Sequence, residues 1–385
     1  MNSQYRYHNL GLYIHIPFCK QKCNYCTFFS RSGMEKYIPD YFIALQKELA
    51  SYQKELKKNV ITTIYFGGGT PSLVPSQYIN KLLQYIKNNL SLAEKAEITI
   101  ETNPESLTFK KLQDYKKAGI NRISIGLQAW QDNLLTYLGR KYSHDLFHKK
   151  INLIKKTGFT NINIDCIFGI PGQTMENWME TLHHVLQYTP THIASYSLHI
   201  ENKTPFGLWK QKGTLVPIDE SLDRKMYWKA VRILKKNGYH HYEISNFAKK
   251  GFECKHNLNF WNCHSYIGIG AGAHSYFQNQ RYNNFYDIKK YSTYILTKRS
   301  TVENKENINA KIALSEFMLL KLRLINGFDK KDFQKQFKEN VFDVYKEELK
   351  KLFSQKLLLR DGQRIKFTKK GLNLGNSVWM EFIKN

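Results

Sequence analysis

Short apolar runs alternate with longer amphipathic stretches along the first 200 residues of the chain. Six runs have the length and the β-branched or aromatic composition of strands: 12–16, 62–66, 97–101, 122–127, 162–168 and 192–198. Stretches with apolar residues at helical spacing lie between them, for example over 35–58, 76–89 and 109–118. This repeat of strand and helix predicts parallel strands that are covered by helices, and runs this apolar are typical of strands buried on both faces.

The number of repeats limits the fold that these units can build. Six units are too few to close an eight-stranded barrel, so we predict an open, partial (βα)6 barrel of the TIM type. In such folds the functional residues lie at the carboxyl ends of the strands. Cysteines follow the first predicted strand and glycines the second, and Glu101, Gln128 and Asp165 lie at or near the ends of the next three. We therefore predict that these residues share one mouth of the barrel.

The pattern changes beyond about residue 240. Residues 242–276 are rich in glycine, histidine and aromatic side chains, which is typical of site-forming loops. Amphipathic helices at 313–324 and within 333–352 then precede a hairpin at 357–367, which predicts a smaller helical, winged-helix-like domain. The predicted division of the chain is 1–240 for the barrel, 241–284 for a loop-rich segment and 285–385 for the C-terminal domain.

The chain is strongly basic, but its charges are distributed as on ordinary helix surfaces. The 385 residues carry 58 basic and 32 acidic side chains, which give a formal charge of +26. Lysines and glutamates mix on stretches such as 54–58 and 346–351, so no nucleic-acid partner is expected. No run of about 18 apolar residues indicates a membrane span, and residues 1–10 lack the pattern of a secretory signal. We expect a cytoplasmic protein, and contact with an anionic partner or membrane surface stays open.

Three of the six cysteines lie close together in the loop after the first predicted strand. Cys19, Cys23 and Cys26 have the spacing C-x3-C-x2-C, and in a reducing compartment clustered thiols bind metal more often than they form disulfides. A structural zinc site prefers four ligands, and the sequence offers no obvious fourth. Three thiolates suit an iron–sulfur cluster of four irons, in which one iron stays open for another ligand.

A glycine-rich turn ends the second predicted strand. Gly67, Gly68 and Gly69 precede Thr70 and Pro71, and glycines at such a position let a ligand approach the backbone, with amides free to donate. The segment lacks the GK[ST] ending of a phosphate loop. Taken alone, the motif is slightly more typical of a simple turn than of a binding site.

The cysteine spacing, with Tyr25 before the last cysteine, resembles the signature of the radical S-adenosylmethionine (SAM) superfamily. The resemblance implies a [4Fe–4S] cluster on Cys19, Cys23 and Cys26, with the open iron chelated by the amine and carboxylate of SAM, and the partial barrel of that superfamily. Six segments resemble one family within it, the coproporphyrinogen dehydrogenase-like (HemN/HemW) family: 13–19, 66–72, 101–105, 121–128, 165–172 and 268–275. The likeness covers nearly the whole chain, including a C-terminal domain of the HemN type.

The family resemblance also implies a set of SAM contacts. The matching positions are Tyr13, Gly68, Gly69, Thr70, Glu101, Gln128, Arg140 and Asp165. Their carboxylates, amide and guanidinium would suit a positive sulfonium, a ribose diol and a carboxylate, although each polar residue taken singly is also compatible with a surface or capping role. No residue is assigned a catalytic role.

Two features favour the heme-chaperone branch of the family over its branch of oxygen-independent coproporphyrinogen III oxidases. The oxidases carry a further cysteine two places after the third ligand, where this chain has Phe28. They also have an N-terminal extension before the first barrel strand, which is predicted here to begin near Gly11. Both differences are expected of the chaperone branch.

A third feature concerns heme itself. The segment 254–261 resembles the chaperones' HNxxYW heme-binding motif, with Phe260 in place of tyrosine. The resemblance implies that His256 ligates heme iron and that Phe260 and Trp261 contact the porphyrin. From the residues alone, a hydrogen-bonded loop histidine beside core aromatic residues is the simpler interpretation. Three further residues could approach a cofactor or simply be buried: Cys254, Cys263 and His274.

The predicted function is that of a heme chaperone, which binds heme, the cluster and SAM and passes heme to acceptor proteins. The family implies respiratory enzymes as acceptors, and the expected partners include an electron donor such as flavodoxin or ferredoxin and, in a cluster-dependent dimer, a second copy. The alternative is the oxidase, which performs a radical oxidative decarboxylation in porphyrin biosynthesis. An RNA-modifying radical enzyme is a third hypothesis, permitted by the charge but supported by no added RNA-binding module.

Overall fold

The structure, a computed structural model, describes residues 10–383 and is organised by one twelve-stranded sheet. Six neighbouring strands in it are parallel: β1 (Leu10–Ile16), β2 (Ile61–Gly68), β3 (Leu92–Thr102), β4 (Arg122–Gln128), β5 (Asn161–Phe168) and β6 (His192–Ser197). The predicted α/β partial barrel is therefore confirmed, and each predicted strand falls on one of the six. The prediction for residues 1–10 and the final residues of the last predicted segment lie outside the described residues, apart from Leu10.

Helices connect these strands and pack against the outer face of the sheet. They are α1 (Ile38–Ser51), α2 (Gln53–Lys57), α3 (Ser76–Asn89), α4 (Phe109–Ala118), α5 (Asp132–Tyr137), α6 (His144–Lys156), α7 (Met175–Gln187), α8 (Pro205–Gln211) and α9 (Glu220–Lys236). The single helix predicted over 35–58 is a 3-10 turn, α1 and α2 in succession. The break lies at Tyr52, whose N–H bonds to the Leu49 carbonyl three residues back, so the α-helical ladder is interrupted.

Apolar spacing and end signals explain why these segments are helical. The buried residues of α3 recur every three or four positions: Ile79, Leu82, Leu83 and Ile86. Helix α4 begins after Thr108, whose hydroxyl accepts from the Lys111 N–H, and it ends at Gly119 with a left-handed φ of 96°. Helix α7 begins with a reciprocal capping box between Thr174 and Asn177.

The two faces of the parallel strands are both buried but differ in chemistry. In β4, Ile123, Ile125 and Leu127 belong to the apolar core under the helices, while the alternate residues Arg122 and Ser124 face the concave side of the sheet, here called the lumen. Residues of neighbouring strands in register with these two line the same lumen: Tyr13, Tyr65, Thr99, Glu101, Asn163 and His192. The interiors of eight-stranded TIM barrels are packed mainly with branched apolar side chains, so this lumen is unusually polar.

The segment predicted to be loop-rich, 241–284, contains most of the strands that extend the sheet at both edges. At one edge, β8 (Asn246–Ala248) pairs antiparallel with β6, and β7 (His240–Glu243) pairs antiparallel with β8. At the other edge, β9 (Tyr266–Ile269) runs parallel to β1 and is followed by β10 (His274–Phe277), β11 (Gln280–Asn284) and β12 (Val302–Asn307). Helix α10 (Lys255–Trp261) lies between β8 and β9, and α11 (Ile288–Leu296) packs on α1. The segment thus has more regular structure than predicted, because its short strands are completed by pairing with the barrel; the division at 240 and 284 stays a prediction.

The last part of the chain has its own apolar core and a three-stranded sheet in the order β13-β15-β14. Its elements are α12 (Ala310–Lys321), β13 (Phe328–Asp329), α13 (Lys330–Phe337), α14 (Val341–Val344), α15 (Lys346–Ser354), β14 (Leu358–Asp361), β15 (Arg364–Phe367), α16 (Lys369–Asn373) and α17 (Gly375–Met380). The predicted helical region with a hairpin at 357–367 is therefore confirmed. Backbone hydrogen bonds attach this part to the barrel, from the Ile325 N–H to the Tyr242 carbonyl and from the Ile244 N–H to the Arg323 carbonyl.

Candidate functional site

The loop that carries the three clustered cysteines leaves the carboxyl end of β1 and is held by backbone hydrogen bonds. The Cys19 N–H donates to the Arg31 carbonyl at 3.0 Å, which closes the base of the loop. Farther along, Asn24 donates from its N–H to the Leu138 carbonyl at 3.1 Å and from its side chain to the Tyr137 carbonyl at 2.8 Å. The loop is therefore positioned by its main chain and by Asn24, and the Cys19 sulfur also lies 3.5 Å from the Thr70 hydroxyl.

The three thiols interact electrostatically. Cys19 is only 8% exposed, and Cys23 and Cys26 are partly buried. Burial raises the pKa of Cys19 and of Cys26, and the Cys23 side chain interacts electrostatically with both. If all three thiols ionised, their charges would repel each other, and a cationic centre would stabilise them.

The donor set of this loop suits an iron–sulfur cluster. Within residues 10–383, no three His, Cys, Asp or Glu side chains form a group that could hold a single metal ion. Thiolate is the ligand that such clusters take in proteins. Cys19, Cys23 and Cys26 would hold the cluster, which when bound would supply the electron that reduces a sulfonium.

The glycine turn after β2 is joined to the cysteine loop by close packing. The Gly69 N–H donates to the Ile16 carbonyl at 2.9 Å, and the Thr70 N–H donates to the Phe18 carbonyl at 2.8 Å. A Cβ atom on Gly69 would lie 2.8 Å from the Phe18 carbonyl oxygen and 3.0 Å from the Cys19 sulfur. Gly68 has a φ of 110°, and a Cβ there would lie 2.4 Å from the His15 ring.

These contacts change the role expected for the glycines. The sequence suggested amides that are free to donate to a ligand, but the amides of Gly69 and Thr70 bond to the β1 strand and its loop, and the Gly68 N–H donates to Glu101 at 3.2 Å. Glycine is needed here because any side chain would collide with the cysteine loop or with His15. A ligand would approach a flat backbone surface rather than a row of donors.

Two partly buried carboxylates, Glu101 and Asp165, face the lumen without an ion pair among the described residues. Glu101 accepts hydrogen bonds from the Tyr65 hydroxyl at 2.8 Å and from the Gly68 N–H, and burial raises its pKa to about 7. Asp165 accepts from the Asn163 amide at 2.6 Å and from the Ser124 hydroxyl at 3.3 Å, and burial raises its pKa too. A cationic ligand between them would restore the charge balance of the lumen.

Arg140 and Gln128 complete the mouth on the side of β4. The Arg140 guanidinium donates to the Tyr25 hydroxyl at 2.6 Å, and its buried Nε has no hydrogen-bond partner among the described residues. Gln128 has a left-handed φ of 70°, and its amide oxygen accepts from the Tyr196 hydroxyl at 3.1 Å. An unpaired guanidinium nitrogen suits a carboxylate ligand. Together with Glu101 and Asp165, these residues match the mixed charges of SAM.

Tyr13 lies deeper, on β1, with its hydroxyl 3.0 Å from the His15 ring. Its ring stacks near Tyr65, and burial, followed by the Glu101 charge, keeps the pKa of its hydroxyl well above its ordinary value. Tyr13 therefore stays protonated and sits beside Glu101. The structure thus brings the three cysteines and seven of the predicted SAM contacts to the mouth of the lumen, with Tyr13 farther inside and 6.3 Å from the His256 ring. Their roles as contacts stay predictions.

The predicted heme ligand His256 lies at the other end of the lumen and is enclosed. It is 1% exposed, its Nδ1 is 2.8 Å from the Thr63 hydroxyl, and burial lowers its pKa to about 3. Its ring stacks on Tyr65 at 5.0 Å and meets the edge of Phe260 at 5.1 Å. Its Nε2 has no hydrogen-bond partner among the described residues. A neutral imidazole with a free Nε2 suits iron, but no face is open to a porphyrin in this arrangement.

The other residues of the heme prediction are also packed. Trp261 lies under the Arg323 guanidinium at 4.4 Å, and Phe260 meets Tyr266 at 4.5 Å. Three further candidates do not converge on His256 Nε2. Cys254 lies 3.6 Å from a Glu97 oxygen, Cys263 packs against the C-terminal core, and His274 bonds to the Tyr286 hydroxyl at 2.5 Å. Heme ligation through His256 therefore requires a rearrangement of α10.

Several lumen residues were missed from the sequence. Tyr65, Glu97 and Arg122 lie between the mouth and α10, and Arg122 is only 2% exposed. Both Glu97 oxygens accept backbone N–H groups at the start of α10, from Lys255 and His256, each at 3.1 Å. The signal was present in the sequence, because polar residues at every second position of an apolar run mark a polar inner face.

Glu101 gives the site a predicted pH dependence. Its pKa rises from 4.5 to about 7, so the folded, ligand-free protein holds this proton more tightly than the unfolded chain does. The free energy of unfolding should therefore decrease as the pH rises through that range. The ionised carboxylate is the form that attracts a cation, so SAM should bind about tenfold more weakly at pH 6 than well above pH 7. Calorimetric titration at several pH values tests this, and Glu101→Gln should remove the dependence; an equal slope in that variant would contradict the assignment.

Comparison with known proteins matched two family profiles to separate parts of the chain. The profile of the radical SAM superfamily matches residues 13–185, and that of the HemN C-terminal domain matches residues 308–374. The heme chaperone HemW of Lactococcus lactis is 38% identical over 371 residues, which cover 96% of each chain. The heme chaperone HemW of Bacillus subtilis is 33% identical over 96% of this chain and 98% of its own.

A solved structure shares the whole fold. The coproporphyrinogen III oxidase HemN from Escherichia coli, described as a radical SAM enzyme, superposes with a TM-score of 0.86 over 99% of this chain and 92% of its own. Its sequence identity is 22%, so the similarity shows the fold alone.

Proposed function

Because this chain belongs to the family of the heme chaperone HemW, we propose that it binds heme together with a [4Fe–4S] cluster and SAM and passes the heme to acceptor proteins. The observation that carries the proposal is the 38% identity to a heme chaperone over 96% of both chains. The oxidase shares the fold at 22% identity, and a shared fold does not imply a shared function.

The cysteine loop supports the same choice. Two places after Cys26, where the family resemblance assigns a further cysteine to the oxidases, this chain has Phe28. The Phe28 side chain is 64% exposed, so it is not part of the packing around the thiols. A single exposed apolar side chain is ordinary on a protein surface, so the supporting point is only that no thiol lies at this position. An acceptor protein or an electron donor such as flavodoxin or ferredoxin is the partner proposed here.

We propose that the cluster and SAM bind at the mouth of the lumen and that heme binds beside α10. Cys19, Cys23 and Cys26 hold the cluster. Eight residues bind SAM: Tyr13, Gly68, Gly69, Thr70, Glu101, Gln128, Arg140 and Asp165. His256 ligates heme once α10 has rearranged, and its Nδ1–H then donates to a neighbouring acceptor, as metal-bound imidazoles do.

The remaining parts of the proposal concern location and partners. We place the protein in the cytoplasm, with respiratory enzymes as heme acceptors, a cluster-dependent dimer and peripheral contact with an anionic membrane surface. Among residues 10–383, no helix combines the length and apolar composition that are needed to cross a bilayer. The excess of 58 basic over 32 acidic side chains is compatible with contact with an anionic surface.

A paired assay separates the chaperone from the oxidase. Anaerobically reconstituted protein, with SAM and a reductant, is offered heme in one tube and coproporphyrinogen III in another. We expect stoichiometric heme uptake, read from the heme absorbance, and no decarboxylated product. His256→Ala should weaken heme binding and leave the iron content of the cluster unchanged. Turnover of coproporphyrinogen III would establish the oxidase instead, and equal heme affinity in the variant would remove His256 from the heme site.

A further inference from the structure

The carboxylate of Glu101 accepts a hydrogen bond from a tyrosine that belongs to none of the sequence motifs. The Tyr65 hydroxyl donates to Glu101 Oε1 at 2.8 Å, while the other oxygen, Oε2, accepts from the Gly68 N–H at 3.2 Å. With both oxygens engaged in this way, the plane of the carboxylate is defined. Tyr65 therefore determines the direction in which Glu101 presents its charge to a ligand in the mouth.

Tyr65 is in turn held by the helix that carries the heme motif. Its ring stacks on His256 with centroids 5.0 Å apart and an interplanar angle of 25°. Tyr13 approaches both rings, at 6.2 Å from Tyr65 and 6.3 Å from His256. One face of the Tyr65 ring thus rests on a residue that belongs to a different functional motif from Glu101.

His256 keeps its place through two further contacts. Its Nδ1 is 2.8 Å from the Thr63 hydroxyl, which also accepts from the Asn259 amide at 3.1 Å. Its backbone N–H donates to Glu97 at 3.1 Å. In this seated position the imidazole is enclosed and its Nε2 cannot reach a porphyrin. Ligation of heme therefore requires His256 to leave the Tyr65 ring.

We propose that Tyr65 is a positioning residue of the SAM site and that, through its stack on His256, heme ligation and SAM binding oppose each other. The inference rests on the proposed function, because it takes His256 as the heme ligand. When His256 is seated, Tyr65 orients Glu101; when His256 moves to heme, Tyr65 loses its support and Glu101 loses its orientation. By linkage, the factor by which heme weakens SAM binding equals the factor by which SAM weakens heme binding.

The positioning role is tested on the heme-free, cluster-loaded protein. Equilibrium dialysis with labelled SAM should give an affinity about tenfold weaker in Tyr65→Phe, because one hydrogen bond to a buried carboxylate is lost. The losses in Tyr65→Phe and Glu101→Gln should not add in the double variant, since both remove the same interaction. Tyr239→Phe is the matched control: it also loses a buried hydroxyl bond, at 2.6 Å to the Pro190 carbonyl, but lies away from the mouth and should bind SAM normally.

The opposition is tested by adding heme to the same dialysis. We expect saturating heme to weaken SAM binding by about fivefold or more in the unaltered protein. His256→Phe keeps an aromatic ring under Tyr65 but cannot ligate iron, so it should retain SAM affinity and lose the effect of heme. His256→Ala should weaken SAM binding even without heme.

The outcomes separate this inference from the proposed function. SAM affinity within twofold of normal in Tyr65→Phe, or additive losses in the double variant, overturns the positioning role. Normal heme uptake with unchanged SAM affinity overturns the opposition while the chaperone proposal stands. If the unaltered protein takes up no heme, both the chaperone proposal and the opposition between heme and SAM binding are overturned. The positioning role of Tyr65 is then decided by the SAM affinities measured without heme.

Discussion

Replacing Cys23 by alanine should abolish the iron–sulfur cluster and leave the fold of the barrel intact. The loop offers three thiols, and two cannot hold a cluster that depends on three. The fold should persist because the loop is attached by main-chain bonds, such as the one from the Cys19 N–H to the Arg31 carbonyl, rather than by its sulfurs. We expect the loss of essentially all cluster iron and of the visible absorbance after anaerobic reconstitution, with an unchanged far-ultraviolet circular dichroism spectrum.

A second cysteine provides the matched control for this experiment. Cys263 is partly buried against the apolar core of the C-terminal part and belongs to a different element from the cysteine loop. Cys263→Ala removes one thiol from the chain as Cys23→Ala does, but it should retain full iron and absorbance. Full iron content in Cys23→Ala would refute the assignment of the cluster to this loop. Iron loss in both variants would point to general damage by cysteine substitution.

The centre of the fold could be predicted from the sequence, while its edges could not. The six parallel strands are long apolar runs, and their spacing by amphipathic helices leaves few alternatives. Strand β12 is made of Val302 and five polar residues, most of them exposed, so its sequence carries no apolar alternation. It is a strand because β11 offers it a ladder of hydrogen bonds. Pairing of this kind depends on the tertiary fold and leaves no trace in a local pattern.

The residues at the mouth could likewise be predicted from the sequence, whereas the contacts inside the lumen could not. The mouth was predictable because parallel strands bring their carboxyl ends to one edge, so neighbours in the fold are found at equivalent positions of successive repeats. The contact between Glu97 and the N–H of His256 joins residues 159 positions apart in the chain and follows no repeat. The sequence also does not reveal that the His256 ring is enclosed, because the residues that surround it come from β2, β3 and α10.

The polar lumen explains how two distant motifs can influence each other. Arg122 and Glu97 are buried and Glu101 and Asp165 are partly buried in this lumen, and none of the four forms an ion pair within 4.0 Å among the described residues. The Arg122 charge lowers the pKa of Glu101 and of His256, although burial has the larger effect on each. The stacking of Tyr65 on His256 and the hydrogen bond from Tyr65 to Glu101 connect α10 to the mouth, so a change at α10 would alter the groups at the mouth.

Replacing Glu97 by alanine should release α10 from the lumen. Helix α10 has no side-chain cap at Cys254, and the Glu97 carboxylate accepts the N–H groups of Lys255 and His256 from the neighbouring strand instead. A carboxylate at this end also balances the positive end of the helix. Without it, two N–H groups at a nearly dry site lose their acceptors, at about 1–3 kcal/mol each. We expect the seated position of α10 to be destabilised by about 3 kcal/mol in total.

Hydrogen exchange measures this release directly. A loss of about 3 kcal/mol should accelerate exchange of the amides of 258–262 about a hundredfold, while the amides of the parallel strands keep their protection. Glu97→Gln retains one acceptor oxygen and should give an intermediate rate, and Glu94→Ala, an exposed position on the same strand, should change nothing. If His256 must leave its seat to ligate heme, Glu97→Ala should also bind heme more tightly and SAM more weakly. Faster exchange without a change in heme affinity would mean that seating of α10 does not limit access to His256.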